Sequence, residues 1–205
     1  MPSQTFNNLA EEKKQRIFGA IYTELQRVPF PEMSINQVIK NADIPRGSFY
    51  QYFENKDDAF DYFITESSKK IKECVITRVS EMHGDIFEIA ESIFEEMSKA
   101  AKEQSKLGII HHVMPYVDIK KLDPFSNYIA NMDSGKRLRL CSTLGIGKLN
   151  IKSEEELTDI LGIIEALFQS ALPQILSGAG DIGEITEKFK RRLNIIKKAT
   201  VREDI

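Results

Sequence analysis

Residues 45–53 read PRGSFYQYF, which puts a guanidinium, a carboxamide and three hydroxyls on a stretch short enough to be one small helix. Arg46 can reach guanine or a phosphate, and Gln51 can pair with adenine through both ends of its amide. Ser48, Tyr50 and Tyr52 add hydroxyls suited to phosphate oxygens and base edges. Phe49 and Phe53 lie four residues apart, so they share a helical face and are expected to point into a core. That leaves Arg46, Gly47, Ser48, Tyr50, Gln51 and Tyr52 exposed. Gly47 carries no side chain, so the helix can come close to a duplex there. A merely packed helical hairpin would account for Phe49 and Phe53, but not for Tyr50 and Tyr52, which do not share their face.

Such a surface reads DNA only if another helix braces it. Ser34 opens a helix whose third residue on is Gln37, an S-x-x-Q capping box. Ile35, Val38, Ile39 and Ala42 form its apolar stripe. A tight turn at 43–44 and Pro45, suited to a first helical turn, lead into the next helix. The order short helix, turn, short helix is that of a helix-turn-helix, whose second helix enters the major groove. Upstream, residues 10–28 place Ile17, Phe18, Ile21 and Leu25 on one face, and Pro29 and Pro31 close that helix. Downstream, Asn55 and Asp58 cap a long helix to Met82, with Phe60, Phe63, Ile64, Ile71, Val75, Val79 and Met82 on its inner side. Gly84-Asp85 starts a fifth helix. Residues 106–150 are broken by Gly and Pro into short pieces. Ser153 with Glu156 and Asp181 with Glu184 open the last two helices, and the final VREDI is expected to fray. The fold class is therefore all-α: an N-terminal three-helix helix-turn-helix domain, 1–54, and a larger helical body, 55–205.

Composition narrows the chemistry. The net charge is −3. Within residues 1–60, Lys13, Lys14, Arg16, Arg27, Lys40, Arg46 and Lys56 face Glu11, Glu12, Glu24, Glu32, Asp43, Glu54, Asp57 and Asp58. Phosphate binding must then come from placement, hydroxyls and helix N-termini rather than bulk charge. Apolar runs are only a few residues long, so no segment is expected to span a bilayer, and MPSQTFNNLAEEKK lacks the apolar centre of a signal peptide. A cytoplasmic protein is expected. Cys74 and Cys141 form no CxxC pair and are expected to be buried fillers. His111 and His112 are adjacent, about 100° apart around a helix, which suits chelation of one ion poorly. No metal, cofactor or catalytic motif accompanies them.

The run SINQVIKNADIPRGSFYQYFENKDDAF resembles the DNA-binding segment of the TetR family of transcriptional repressors, with Ser34, Ile35, Val38, Ile39, Ala42, Ile44, Gly47, Phe49, Tyr50, Tyr52, Phe53, Lys56 and Phe60 at corresponding places. The resemblance implies that Ser34 caps its helix and touches phosphate. It implies that Arg46, Ser48 and Gln51 face the groove, and that Tyr50, Tyr52 and Lys56 grip the backbone. The chain departs from the pattern at three places: Asp43 replaces the usual turn glycine, Pro45 the usual Ser or Thr, and VPFPEM the usual glycine-containing loop. These bear on which operator is read.

The helix from Ser153 carries Gly162, Ala166 and Ser170 at intervals of four and is too apolar for one buried stripe. It is expected to pack on the body and on a partner. The resemblance implies a homodimer through the last two helices, presenting two recognition helices to a palindromic double-stranded operator. It also implies a pocket for a small-molecule inducer, for which Phe94, Met97, His111, Met114, Tyr116, Tyr128 and Phe168 are candidate lining residues. Two other readings compete with this non-enzymatic regulator. One is a helical metal sensor or enzyme built around His111; the other is a protein-interaction module that uses the N-terminal helices.

Overall fold

The computed structural model describes residues 2–81, 85–102, 108–118, 127, 129, 131–136, 140, 149–177 and 180–201. Its helices are α1 (Gln4–Asn7), α2 (Glu11–Arg27), α3 (Ile35–Ala42), α4 (Arg46–Tyr52), α5 (Lys56–Glu81), α6 (Ile86–Lys102), α7 (Gly108–Val113), α8 (Glu154–Leu176) and α9 (Ile182–Thr200). Single 3-10 turns cover Phe30–Glu32 and Met114–Tyr116. An isolated antiparallel bridge pairs Leu149 with Val201. The all-α expectation holds, and the capped starts at Asn55, Ser153 and Asp181 lie where the side chains foretold them: each accepts the backbone N–H three residues on. The short α1 carries no periodic apolar pattern, which is why periodicity alone passes over it.

Contacts divide the chain into two units, residues 1–70 with 105–118 and residues 71–104 with 119–205. The expected boundary at 54/55 is therefore displaced into α5. The physical reason is the apolar face of its first turns, where Ala59, Phe60, Tyr62 and Phe63 are sealed into the same core as Ile17, Ile21, Leu25, Val38, Ala42, Phe49 and Phe53. Val113 of α7 joins that core too. Removing a side chain such as Phe49 from water contributes on the order of 2–3 kcal/mol. Farther along α5 the inner stripe lapses: Ile71 and Cys74 are exposed, against the expectation of burial for both, and Val79 is buried again. Cys141, Met82 and Gly84 lie outside the described residues.

The helix-turn-helix geometry rests on one backbone position. Asp43 adopts φ 50 and ψ 56, the left-handed region, and its N–H closes back on the Ile39 and Lys40 carbonyls. Asp tolerates this region better than most residues but not as well as glycine. Asp43→Gly is expected to stabilise the protein by roughly 0.5 kcal/mol, the relief of strain exceeding the extra freedom glycine gives the unfolded chain. Urea unfolding checks this, and a loss of stability would show that the Asp43 side chain holds the turn.

In the second unit α6, α8 and α9 pack on one another. Phe94 of α6 stacks flat on Phe189 of α9, with centroids 3.8 Å apart, and Phe168 of α8 meets both edge-on at 5.6 and 4.9 Å. Asp85 receives the N–H groups of Phe87 and Glu88 and pairs with Lys197 of α9 at 2.7 Å, so one carboxylate both starts α6 and ties it to α9. Lys190 pairs with Glu91 and Glu95. The expectation that no segment could span a bilayer fails for α8 on length and composition, since Glu155–Leu176 is long and apolar enough to do so. Its apolarity divides between two faces instead. Leu157, Ile160, Ile164, Ala171 and Ile175 are buried within this unit, while Ile163 remains 48% exposed.

Candidate nucleic-acid interface

The brace helix α3 starts as a capped helix, but not as a closed local box. Ser34 Oγ accepts the Gln37 N–H at 3.4 Å. The Ser34 N–H donates instead to Glu24 of α2, at 3.0 Å. Glu24 is 1% exposed, and its carboxylate also accepts two hydrogen bonds from Arg27, at 2.7 and 3.0 Å. The Arg27 guanidinium is the first cause holding this carboxyl below the usual range; burial works against it, and the Ser34 N–H adds to the lowering. A charged bridge thus fixes where the helix-turn-helix begins.

On α4, Phe49 and Phe53 are buried, as their spacing requires. Arg46, Gly47 and Gln51 are exposed, Ser48 is half-buried and Tyr50 is 49% exposed. A Cβ added at Gly47 would meet nothing within 4 Å, so packing within the chain does not call for glycine there. Arg46, Gly47, Ser48, Tyr50 and Gln51 make a continuous polar face on a seven-residue helix.

Tyr52 does not belong to that face. It is 4% exposed, against the expectation of an exposed residue. The cause is α1: Phe6 lies edge-on to the Tyr52 ring at 5.8 Å, and the Lys13 ammonium sits 5.5 Å from its centroid on another side. Lys56 is engaged as well. Its ammonium donates to the Pro31 carbonyl at 2.8 Å and lies 5.2 Å from the Phe30 ring, which stacks on Phe60 at 4.0 Å. The VPFPEM loop is therefore clasped by Lys56 and the core rather than by glycine.

Of the described side chains expected around one ligand, three lie in each unit. Phe94 and Phe168 belong to the aromatic cluster of the second unit, and Met97 is half-buried on α6. His111, Met114 and Tyr116 lie in the first unit, His111 and Tyr116 exposed and Met114 half-buried, with Tyr116 edge-on to Phe30 at 5.7 Å. Tyr128 lies outside the described residues. An open groove of about 510 Å³ between α6 and α9 is lined by other residues, among them Phe87, Glu88, Glu91, Lys190, Leu193 and Lys197. His112 is tied through Nδ1 to the Leu25 carbonyl at 2.8 Å. Among the described residues no three of His, Cys, Asp and Glu converge as metal ligands would.

On α8, Ala166 and Ser170 are exposed and Gly162 is half-buried, with open space where its Cβ would stand. Exposed Ile163 lies on the same helix, and Ile195 of α9 is 63% exposed. Sequence reasoning passed over Ser3, Phe6, Glu24 and Phe189. Glu24 had a visible signal: it falls in the apolar stripe of Ile17, Ala20 and Ile21, where a carboxylate needs a partner.

Residues 85–198 match the family model described as the tetracyclin repressor-like C-terminal domain. No curated protein matches the chain in sequence. Solved structures resemble it over nearly its whole length. A TetR-family transcriptional regulator from Pectobacterium atrosepticum superposes with a TM-score of 0.62 at 12% identity, covering 95% of this chain and 97% of that one. A regulator from Mesorhizobium loti gives 0.57 at 12%, covering 93% and 98%. The regulator FadR from Bacillus subtilis, in complex with stearoyl-CoA, gives 0.51 at 14%, covering 88% and 97%. At these identities the likeness is one of fold.

Proposed function

The chain belongs to the TetR family of transcriptional regulators, and from that premise we propose that it is a cytoplasmic, ligand-responsive repressor that binds a palindromic operator as a homodimer and is released by a small-molecule inducer. The observation that carries the DNA-reading half is the exposed polar face of α4, behind a left-handed turn and a capped α3. In the major groove, Arg46, Ser48 and Gln51 meet base edges, while Tyr50 and the Ser34 end of α3 meet phosphates. Lys56 acts chiefly through the loop it clasps. Tyr52 contributes packing.

Repression and induction follow as a coupling between states. A ligand that favours the arrangement with separated recognition helices lowers operator affinity by its differential affinity for that arrangement. Sensing is assigned to the helical body; the stearoyl-CoA held by one similar structure supports a ligand role for such a body. No observation favours the alternative centred on His111, which is exposed and has no converging ligands among the described residues.

Selection from random duplex DNA, followed by fluorescence anisotropy over a salt series, tests the reading. An enriched inverted repeat and a steep fall of affinity with salt are expected. Tyr50→Ala should weaken binding to every sequence, and Gln51→Ala should relax preference at one base pair per half-site, each by roughly 10-fold. Absence of any enriched duplex would overturn the proposal.

A further inference from the structure

The recognition helix has seven residues, too few to be stable alone, and its last carbonyls have no acceptor role within the helix. No glycine closes it; Phe53 follows in extended backbone. The missing partners come from the N-terminal segment. The Ser3 N–H donates to the Tyr52 carbonyl at 2.9 Å, and Ser3 Oγ donates to the Gln51 carbonyl at 2.5 Å. The same Oγ accepts the Phe6 N–H at 3.2 Å, which sets the direction of its proton. Phe6 is buried, with ring centroids 5.8 Å from Tyr52, 5.0 Å from Phe53 and 4.8 Å from Tyr62. At the other end of α4, Pro45 makes no side-chain cap bond.

We propose that Ser3 and Phe6 form a clip that closes on the C-terminal end of α4 and sets the pose of Gln51, making both positioning residues for base recognition. This rests on the reading of α4 as the DNA-reading helix. The clip holds the backbone of Gln51 directly and that of Arg46 only through the length of the helix. Its loss therefore acts unevenly along the half-site.

Full-length Ser3→Ala, Ser3→Thr and Phe6→Ala are compared with wild type on the selected operator. The set includes operators altered at the base pair whose preference Gln51→Ala relaxes, and at the pair that Arg46→Ala relaxes. Amide exchange of residues 51–53 is followed in the DNA-free protein. Ser3→Ala removes both hydrogen bonds of the hydroxyl and is expected to lower operator affinity roughly 3- to 10-fold. It should reduce discrimination at the Gln51 base pair while leaving the Arg46 pair unchanged, and should speed exchange at residues 51–53. Ser3→Thr keeps the hydroxyl and restores all three, and Phe6→Ala repeats the pattern more strongly. If Phe6→Ala fails to fold, Ser3→Ala and its threonine rescue still decide. Unchanged exchange and discrimination in Ser3→Ala, or a uniform loss across both base pairs without threonine rescue, overturns the clip. A wild-type chain that binds no duplex sinks the DNA reading and this role together, whereas an operator-binding wild type with an unperturbed Ser3→Ala sinks the clip alone.

Discussion

Arginine in place of Ala166 is expected to leave the chain folded but monomeric, and to weaken operator binding by at least about 100-fold, the scale on which a second tethered contact contributes. Ala166 is exposed on α8, so nothing within one chain opposes a longer side chain there, and substitutions at such positions ordinarily change stability by under about 0.5 kcal/mol. Around it lie exposed Ile163 and Ser170 and the open space over Gly162. Exposed apolar groups of this kind beside small residues suit the close approach of a second copy, and a guanidinium would bring two like charges into that contact. The DNA-binding end has seven basic residues against eight acidic ones up to residue 60, so one copy has little electrostatic affinity to spare. Light scattering would show the change of mass, and binding to a full palindrome against a single half-site would show the lost avidity. A dimeric Ala166→Arg protein with undiminished affinity would refute this interface.

Glu24→Ala is expected to destabilise the first unit by about 2–3 kcal/mol, the range for hydrogen bonds made to a charged group. The substitution removes the acceptor of two Arg27 bonds and of the Ser34 N–H. Arg27 itself reaches solvent and is not stranded, which keeps the cost below that of a broken fully buried pair. The pH dependence has a definite sign. The Glu24 carboxyl is held below its ordinary value in the folded protein, so its stabilisation is fully present above the unfolded carboxylate value near about 4.3 and is lost as pH falls through the lower folded value. Wild type and Glu24→Gln should differ most at neutral pH and converge in acid. Urea unfolding at pH 7 and at successively lower pH measures this; a difference that grows on acidification would show the wrong group has been named. Operator affinity should fall along with stability, because the start of α3 loses its anchor to α2.

The site was legible in the sequence to the extent that its chemistry is local. Phe49 and Phe53 are inward because two aromatics four apart must share a face, and Tyr50 is outward for the same reason. Tyr52 is buried although the same rule sets it apart from Phe49 and Phe53. The rule says which face of α4 a residue occupies but not whether another segment covers that face, and Phe6 does. Lys56 was a surface cation until its ammonium found the Pro31 carbonyl, 25 residues back. The capping box at Ser34 was half right for a related reason: the hydroxyl needs only a residue three positions on, while the serine N–H went to a carboxylate from the preceding helix.

By itself, the sequence determined that this protein is helical, where most of its helices start, and which short helix offers Arg46, Ser48, Tyr50 and Gln51 on a polar face. These depend on backbone hydrogen bonds, caps and 3.6-residue periodicity, which operate within about four positions along the chain. Only the tertiary structure decided what lies over each face: that Phe6 closes on Tyr52, that Ser3 takes the last carbonyls of α4, that Glu24 bridges to Ser34, and that Phe94, Phe168 and Phe189 make one aromatic cluster. Such contacts join residues distant in sequence. Their choice is made by packing among many apolar groups of similar hydrophobicity, and composition and spacing do not rank those pairings.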